Sequence, residues 1–215
     1  MRYSHIVFDI DNTLIDTTAA VLHSLQKALR EVTGEHREVG QLAPVLGIPG
    51  MKAFEVLGIR SPELIFKIYP LWEKYMNAYQ HTAYVYEGIL ALLEYLKNQG
   101  HDLGIITSKT ARQYETTFIP FGIAGYFQWV ITADDTVHHK PGPEPMNAYI
   151  WMNDIRPSQV LYVGDSVYDM ECAQSAGTDS ALALWGCHNP DGIPSTYRFA
   201  SPEDMEKWFR DGCPA

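Results

Sequence analysis

Cysteine is scarce: Cys172, Cys187 and Cys213 are the three in 215 residues, widely spaced and without a Cys-x-x-Cys pair. That argues against a disulfide framework or a structural zinc site, and makes a reducing cytoplasm the expected compartment. Basic residues are few, 16 Lys and Arg against 26 Asp and Glu, for a formal charge of −10. A surface that coats DNA or RNA needs the opposite balance, because it gains affinity by neutralising phosphates, so no nucleic-acid polymer is expected as a partner. No apolar run approaches the roughly 20 residues needed to cross a bilayer. The N-terminus runs straight into Ile6-Val7-Phe8, an apolar core too short for a signal peptide, so neither secretion nor a membrane partner is expected. Internal repeats and low-complexity tracts are absent as well. The remainder is ordinary globular composition, 46% hydrophobic and 20% charged, in a length that suits one large domain or a domain carrying an insertion.

Short apolar runs read as buried strands: Ile6–Phe8, Leu103–Ile106, Trp129–Ile131, Val160–Val163 and Ala181–Leu184. Continuously apolar strands suit a parallel sheet covered on both faces. Between them, Ile89, Leu92, Leu93 and Leu96 share one face of a helix that Asn98-Gln99-Gly100 can end, and Met170–Ala176 reads as a short helix closed by Gly177. Alternating strand and helix signals imply βαβ units in an open α/β sheet. Residues 16–84 break the alternation. Val21, Leu22, Leu25, Leu29 and Val32 repeat at helical spacing, Ala53–Leu57 and Leu64–Tyr79 continue in that mode, and no convincing strand is present. This reads as a helical insertion, with a turn marked by Gly47, Pro49 and Gly50, between two pieces of one sheet domain, 1–15 and 85–215. Trp72, Tyr75 and Tyr79 are expected in its core.

In an open parallel sheet, ligands sit at the carboxyl ends of the strands. The unusual polar residues fall there. Asp9-Ile10-Asp11-Asn12-Thr13 follows the first strand, and two carboxylates one residue apart can divide labour as nucleophile or metal ligand and proton carrier. The same residues also suit a plain turn in which Asp11 or Asn12 caps the next helix. Gly164-Asp165-Ser166-Val167-Tyr168-Asp169 follows another strand, with Asp165 and Asp169 four apart, as on one helix face, or with Asp165 or Ser166 as a cap. Acids converging from both segments would repel unless a cation sat among them, and hard oxygen ligands describe Mg²⁺ better than zinc. Thr107-Ser108-Lys109 brings a hydroxyl and backbone N–H groups to a helix start, where a phosphate oxygen can be held. Lys140, fixed beside Pro141, is either a solvated lysine or the cation that offsets these acids. His138-His139, Arg112 and the segment Trp185–Asn189 read as loop or surface, and Cys172 as core.

Taken in this order, the motifs FDIDNTLID, Thr107, Lys140 and GDSVYD resemble the haloacid dehalogenase-like superfamily across Ile6–Gly177. The phosphoglycolate phosphatase and β-phosphoglucomutase-like branch is the nearest in flavour, also through Tyr86-Glu87-Gly88 and the KPGPEP stretch. The resemblance implies a Rossmann-like parallel-sheet core with helices on both faces and an all-helical cap over 16–84. It implies a Mg²⁺-dependent phosphatase for a small phosphorylated metabolite, with Asp9 as nucleophile and Asp11 as acid and base. Metal ligation would come from Asp9, the Asp11 carbonyl and Asp165, and phosphate binding from Thr107, Ser108 and Lys140. Asp169 would orient a metal-bound water or Lys140.

Asp11 separates branches of that superfamily, since its dehalogenases use no acid at this position. A phosphonatase would need a cap lysine, for which Lys52 and Lys67 are the candidates, with nothing marking either as buried. A phosphomutase would carry a basic residue in the loop Val45–Met51, which has no arginine and only Lys52 beside it. Mutase and pyrophosphatase remain the alternatives within the family, and a non-catalytic phosphoacceptor the alternative of another class. Asp9, Asp11 and the helical insertion together argue against the last.

Overall fold

The computed structural model describes residues 2–47 and 50–213. In chain order its elements are β1 (His5–Phe8), β2 (Ile15–Asp16), α1 (Thr18–Thr33), α2 (Val39–Leu42), α3 (Gly50–Val56) and α4 (Pro62–Tyr79). There follow β3 (Tyr84–Val85), α5 (Ile89–Asn98), β4 (Asp102–Ile106), α6 (Ala111–Thr117), β5 (Trp129–Ile131) and α7 (Glu144–Met152). The last are β6 (Val160–Gly164), α8 (Val167–Ala176), β7 (Asp179–Ala183), β8 (Tyr197–Phe199) and α9 (Pro202–Arg210). The chain forms two compact units, Met1–Ile15 with Val85–Ala215, and Asp16–Tyr84.

The first unit is built on a sheet in the order β5-β4-β1-β6-β7-β8, with every neighbouring pair parallel. Alternate residues of each strand serve opposite faces. Ile6 and Phe8 of β1, Leu103 and Ile105 of β4, and Leu161 and Val163 of β6 pack with Ile89, Leu92, Leu93 and Leu96 of α5 and Met205 and Phe209 of α9. On the other face Val7, Ile106 and Tyr162 pack with Met146 and Tyr149 of α7 and Cys172 and Ala173 of α8. This is the Rossmann-like α/β fold with helices on both faces, and it explains why the strand runs are apolar throughout: both sides are dry.

Three details differ from the sequence reading. The strand expected at Ala181–Leu184 spans Asp179–Ala183, because the chain folds back directly after it, Gly186 and Cys187 donating their N–H groups to the Ala183 carbonyl at 3.2 and 3.1 Å. The edge strand β8 has no apolar run to announce it, its middle residue being the exposed Arg198. The helix expected from Met170 begins at Val167, for a reason given with the site below.

The second unit is helical. Leu22, Leu25, Ala28 and Leu29 of α1 share a core with Phe54 of α3 and Ile68, Trp72 and Tyr75 of α4, while Tyr79 is partly buried and stacks on His23 at 5.8 Å between ring centroids. Ser61 caps α4 by accepting the Leu64 N–H at 3.3 Å, and the helix continues through Pro70. Of the expected turn, Gly47 adopts a left-handed φ of 71° and Gly50 opens α3, whereas Pro49, with Ile48 of the Val45–Met51 loop, lies outside the described residues. Lys52 and Lys67 are exposed, the latter paired with Glu63 at 2.7 Å. Short strands do occur at the ends of this segment: β2 and β3 form a two-stranded ribbon where the chain passes out at Ile15 and back at Val85. No helix among the described residues is long and apolar enough to cross a membrane.

Candidate active site

The ends of the adjacent strands β1, β4 and β6 carry the polar residues singled out in the sequence. After β1 the chain turns tightly. The Ile10 carbonyl accepts from the Leu14 N–H at 2.9 Å and from Ile15 at 3.1 Å, and Asn12 adopts a φ of 56°, a left-handed conformation that asparagine tolerates better than most residues. This turn presents Asp9 and Asp11 and caps no helix; α1 begins later, after Thr17.

Asp165 and Asp169 do not share a helix face. Ser166 is extended (φ −119°, ψ 160°) and caps α8, so Asp165 precedes the helix and Asp169 stands in its first turn. Asp169 completes the cap, its Oδ2 accepting from the Ser166 N–H at 3.1 Å and from the hydroxyl at 2.6 Å. That cap starts the helix three residues before its apolar pattern does. Gly164 permits the arrangement, since a Cβ there would run into the Asp169 side chain.

At the centre lies Lys140, 8% exposed. Its Nζ donates to Asp9 Oδ1 and to Asp169 Oδ1, each at 2.7 Å, and to the Tyr162 hydroxyl at 3.2 Å. Burial opposes its charge, but Asp169 and Asp9 outweigh burial and hold the lysine firmly protonated. Burial raises the Asp9 carboxyl; Lys140 draws it back, and Asp169 and Asp11 push it up again. Asp165 is raised well above the ordinary carboxylate range by burial and by its neighbours Asp169 and Asp9. Carboxylate oxygens of Asp9, Asp165 and Asp169 all lie within 4.8 Å of one another. Thr13 donates to Asp165 at 3.3 Å.

Four carboxylates, Asp9, Asp11, Asp165 and Asp169, face two ammonium groups, Lys140 and Lys109. A buried, hard-oxygen cluster with two formal negative charges uncompensated fits a small divalent cation.

Thr107, 4% exposed, accepts the Lys109 N–H at 3.2 Å, which leaves its own O–H to donate; Ser108 beside it is exposed. His138 is on the surface, paired with Glu144 at 2.7 Å, and Arg112 is exposed.

Several contributors were not legible in the sequence. Lys109 is buried and its Nζ lies 2.9 Å from Asp11 Oδ1, yet off the line of a hydrogen bond, so that oxygen has no hydrogen-bond donor although an ammonium charge stands beside it. Tyr162 joins Lys140 to the backbone: its hydroxyl lies 2.9 Å from the Ile106 carbonyl and 3.0 Å from Asp169 Oδ1. The available hints were a lysine directly after Thr107-Ser108 and one polar-tipped residue inside an apolar strand. The Trp185–Asn189 segment braces the turn that follows β1. Trp185 Nε1 donates to the Thr13 carbonyl at 2.9 Å, and Gly186 lies against the Asn12 carbonyl so closely that a Cβ would overlap it. Gly186→Ala is therefore expected to cost about 1–3 kcal/mol by forcing the turn or the loop aside. Thermal unfolding would read this as a fall in Tm of several degrees, and an unchanged Tm would show that the turn gives way freely.

The chain belongs to the haloacid dehalogenase-like hydrolase family, whose sequence pattern matches residues 6–183. Pyrophosphatase PpaX of Bacillus velezensis is 30% identical over 186 residues, 86% of this chain and 84% of its own length. A Lactobacillus plantarum protein proposed to be a phosphoglycolate phosphatase superposes with a TM-score of 0.88 at 29% identity, over 96% of this chain and 99% of that one. A Thermotoga maritima protein proposed to be a β-phosphoglucomutase shares the fold, with a TM-score of 0.75 at 17% identity over 97% of this chain and 99% of its own.

Proposed function

We infer that the chain is a phosphatase of the haloacid dehalogenase-like family, hydrolysing a small phosphorylated metabolite through a phosphorylated Asp9. The observation that carries this is the convergence of Asp9, Lys140, Asp165 and Asp169 in one buried cluster, with Asp11 and Thr107 at the same strand ends. Asp9 attacks phosphorus, forming an O–P bond as the bond to the leaving oxygen breaks and its electron pair departs with that oxygen. Asp11 donates a proton to the leaving oxygen, then takes one from the water that cleaves the aspartyl-phosphate to phosphate and free Asp9. Thr107, the Ser108 N–H and Lys140 hold the other phosphate oxygens. Asp169 positions Lys140 through the 2.7 Å ion pair.

Mg²⁺ would be held by the Asp9 carboxylate, the Asp11 carbonyl and Asp165, and when bound it offsets the repulsion between a carboxylate nucleophile and a phosphate dianion. The helical unit, 16–84, is assigned as the cap that selects among substrates. A pyrophosphatase is the second reading, favoured by the Bacillus velezensis relative. Phosphate release from a panel of small esters and pyrophosphate tests both. Turnover is expected with Mg²⁺ and none in EDTA; equal rates in both would refute the metal assignment. Absence of turnover, with stable one-for-one labelling by a phosphodonor, would refute the hydrolase.

A further inference from the structure

The three partners of the Lys140 ammonium are not equivalent. They are Asp9 Oδ1 and Asp169 Oδ1, each at 2.7 Å, and the Tyr162 hydroxyl at 3.2 Å. In the reaction proposed above, Asp9 becomes an acyl phosphate and loses its carboxylate charge until water restores it. Its grip on the lysine therefore changes twice in each turnover, whereas Asp169 and Tyr162 undergo no such change. Asp169 keeps its place through the cap of α8. Tyr162 keeps its place through the sheet. It stands on β6 between β1 and β7, has no exposure, and shares a core with Met146 and Tyr149 of α7 and Cys172 of α8. Lys140, by contrast, is on a turn before α7 and reaches the acids on a flexible four-carbon stem.

A phenolic hydroxyl has one proton to donate and lone pairs with which to accept. That of Tyr162 accepts from Lys140, and two acceptors stand within reach of its proton, the Ile106 carbonyl at 2.9 Å and Asp169 Oδ1 at 3.0 Å. Ile106 is the last residue of β4 and directly precedes Thr107. One oxygen thus ties the ammonium of Lys140 to the strand end that presents Thr107. Both groups are assigned above to the phosphate oxygens, and they come from separate segments of the chain. We propose that Tyr162 is a positioning residue that holds Lys140 in register with Thr107 through both halves of the reaction, while the charge on Asp9 comes and goes. This rests on the assignment of Asp9, Thr107 and Lys140 given above. A tyrosine that only filled the core would matter for stability alone. One that holds Lys140 matters for the transition state, where a small misplacement of a phosphate donor is expensive.

Tyr162→Phe removes that oxygen and keeps the ring. On the substrate of the panel that turns over fastest, kcat/KM is expected to fall about 10- to 30-fold, the scale for losing a partner that orients a working group. The loss should fall on kcat, with KM within about threefold, because the register matters most in the transition state. Orthovanadate, which takes up the five-coordinate geometry of phosphoryl transfer, should inhibit the variant more weakly by a similar factor. The Ki of inorganic phosphate, a ground-state ligand, should move by less than about threefold. A lower Tm with kcat/KM and the vanadate Ki both within about twofold of the unaltered protein would overturn the proposal and leave Tyr162 a packing residue. A loss confined to KM would overturn it as well, since that is the mark of binding shared by ground and transition states. Tyr162→Met, which fills the space without a hydroxyl, is expected to give the same pattern and decides should Tyr162→Phe not fold. No turnover by the unaltered protein on any ester or on pyrophosphate would instead remove the hydrolase reading, and this inference with it.

Discussion

Asp9→Asn is expected to lower kcat by about 10⁴-fold or more with the fold intact. The substitution keeps the side-chain volume and the backbone bond from the Asp9 N–H to the Val163 carbonyl at 2.9 Å. It removes the carboxylate proposed above as the nucleophile, and an amide oxygen is too weak a nucleophile to replace it. Lys140 is not orphaned, because Asp169 and the Tyr162 hydroxyl still accept from it. The melting temperature should therefore stay close to that of the unaltered protein while phosphate release vanishes. Residual activity above about one per cent would place the nucleophile elsewhere.

The second large effect is on stability. Lys140→Met should destabilise the protein by about 3–5 kcal/mol near pH 8, the scale for removing one partner of a buried ion pair. Its ammonium is the shared partner of Asp9 and Asp169, and both carboxylates are almost fully buried. At roughly 2–4 °C per kcal/mol for a chain of this size, Tm should fall by about 6–20 °C. The pH dependence has a definite sign. Burial already raises the Asp9 and Asp165 carboxyls above their unfolded values, and losing Lys140 raises them further. An acid whose folded pKa is raised disfavours the folded state increasingly as pH climbs from the ordinary carboxylate range toward that raised value. The deficit should therefore be smallest near pH 5, where Asp9 and Asp165 can stay protonated, and largest near pH 8. Melting curves in EDTA at the two pH values would show it; an equal deficit at both would mean that Lys140 acts by packing rather than by charge.

How much of this was readable beforehand follows from where the information resides. Strand-end acids are visible because they interrupt apolar runs: Asp9 after Ile6–Phe8 and Asp165 after Val160–Val163 are out of character with their own segments. Helix α5 is visible because four apolar residues recur at helical spacing. The start of α8 was missed because a cap is written in polar atoms, the Ser166 hydroxyl and the Asp169 carboxylate, and precedes the apolar pattern. The same cap removed the expectation that Asp165 and Asp169 share a helix face.

The sequence by itself determined the local chemistry: which segments must be buried on two sides, where carboxylates, hydroxyls and lysines stand at their ends, and that residues 16–84 repeat with a helical period. Those properties depend on neighbours within a few residues, and local sterics and the hydrophobic effect suffice to read them. Only the tertiary structure decided which of these groups meet. β1 takes β4 on one side and β6 on the other, in registers that set Phe8 beside Ile105 and Val163. That pairing brings Lys109 to Asp11, Tyr162 to Lys140, and Gly186 to the carbonyl of Asn12 across long stretches of chain. No local pattern encodes such contacts, because they arise from the order in which parallel strands pack and from the space left between them once the core is closed.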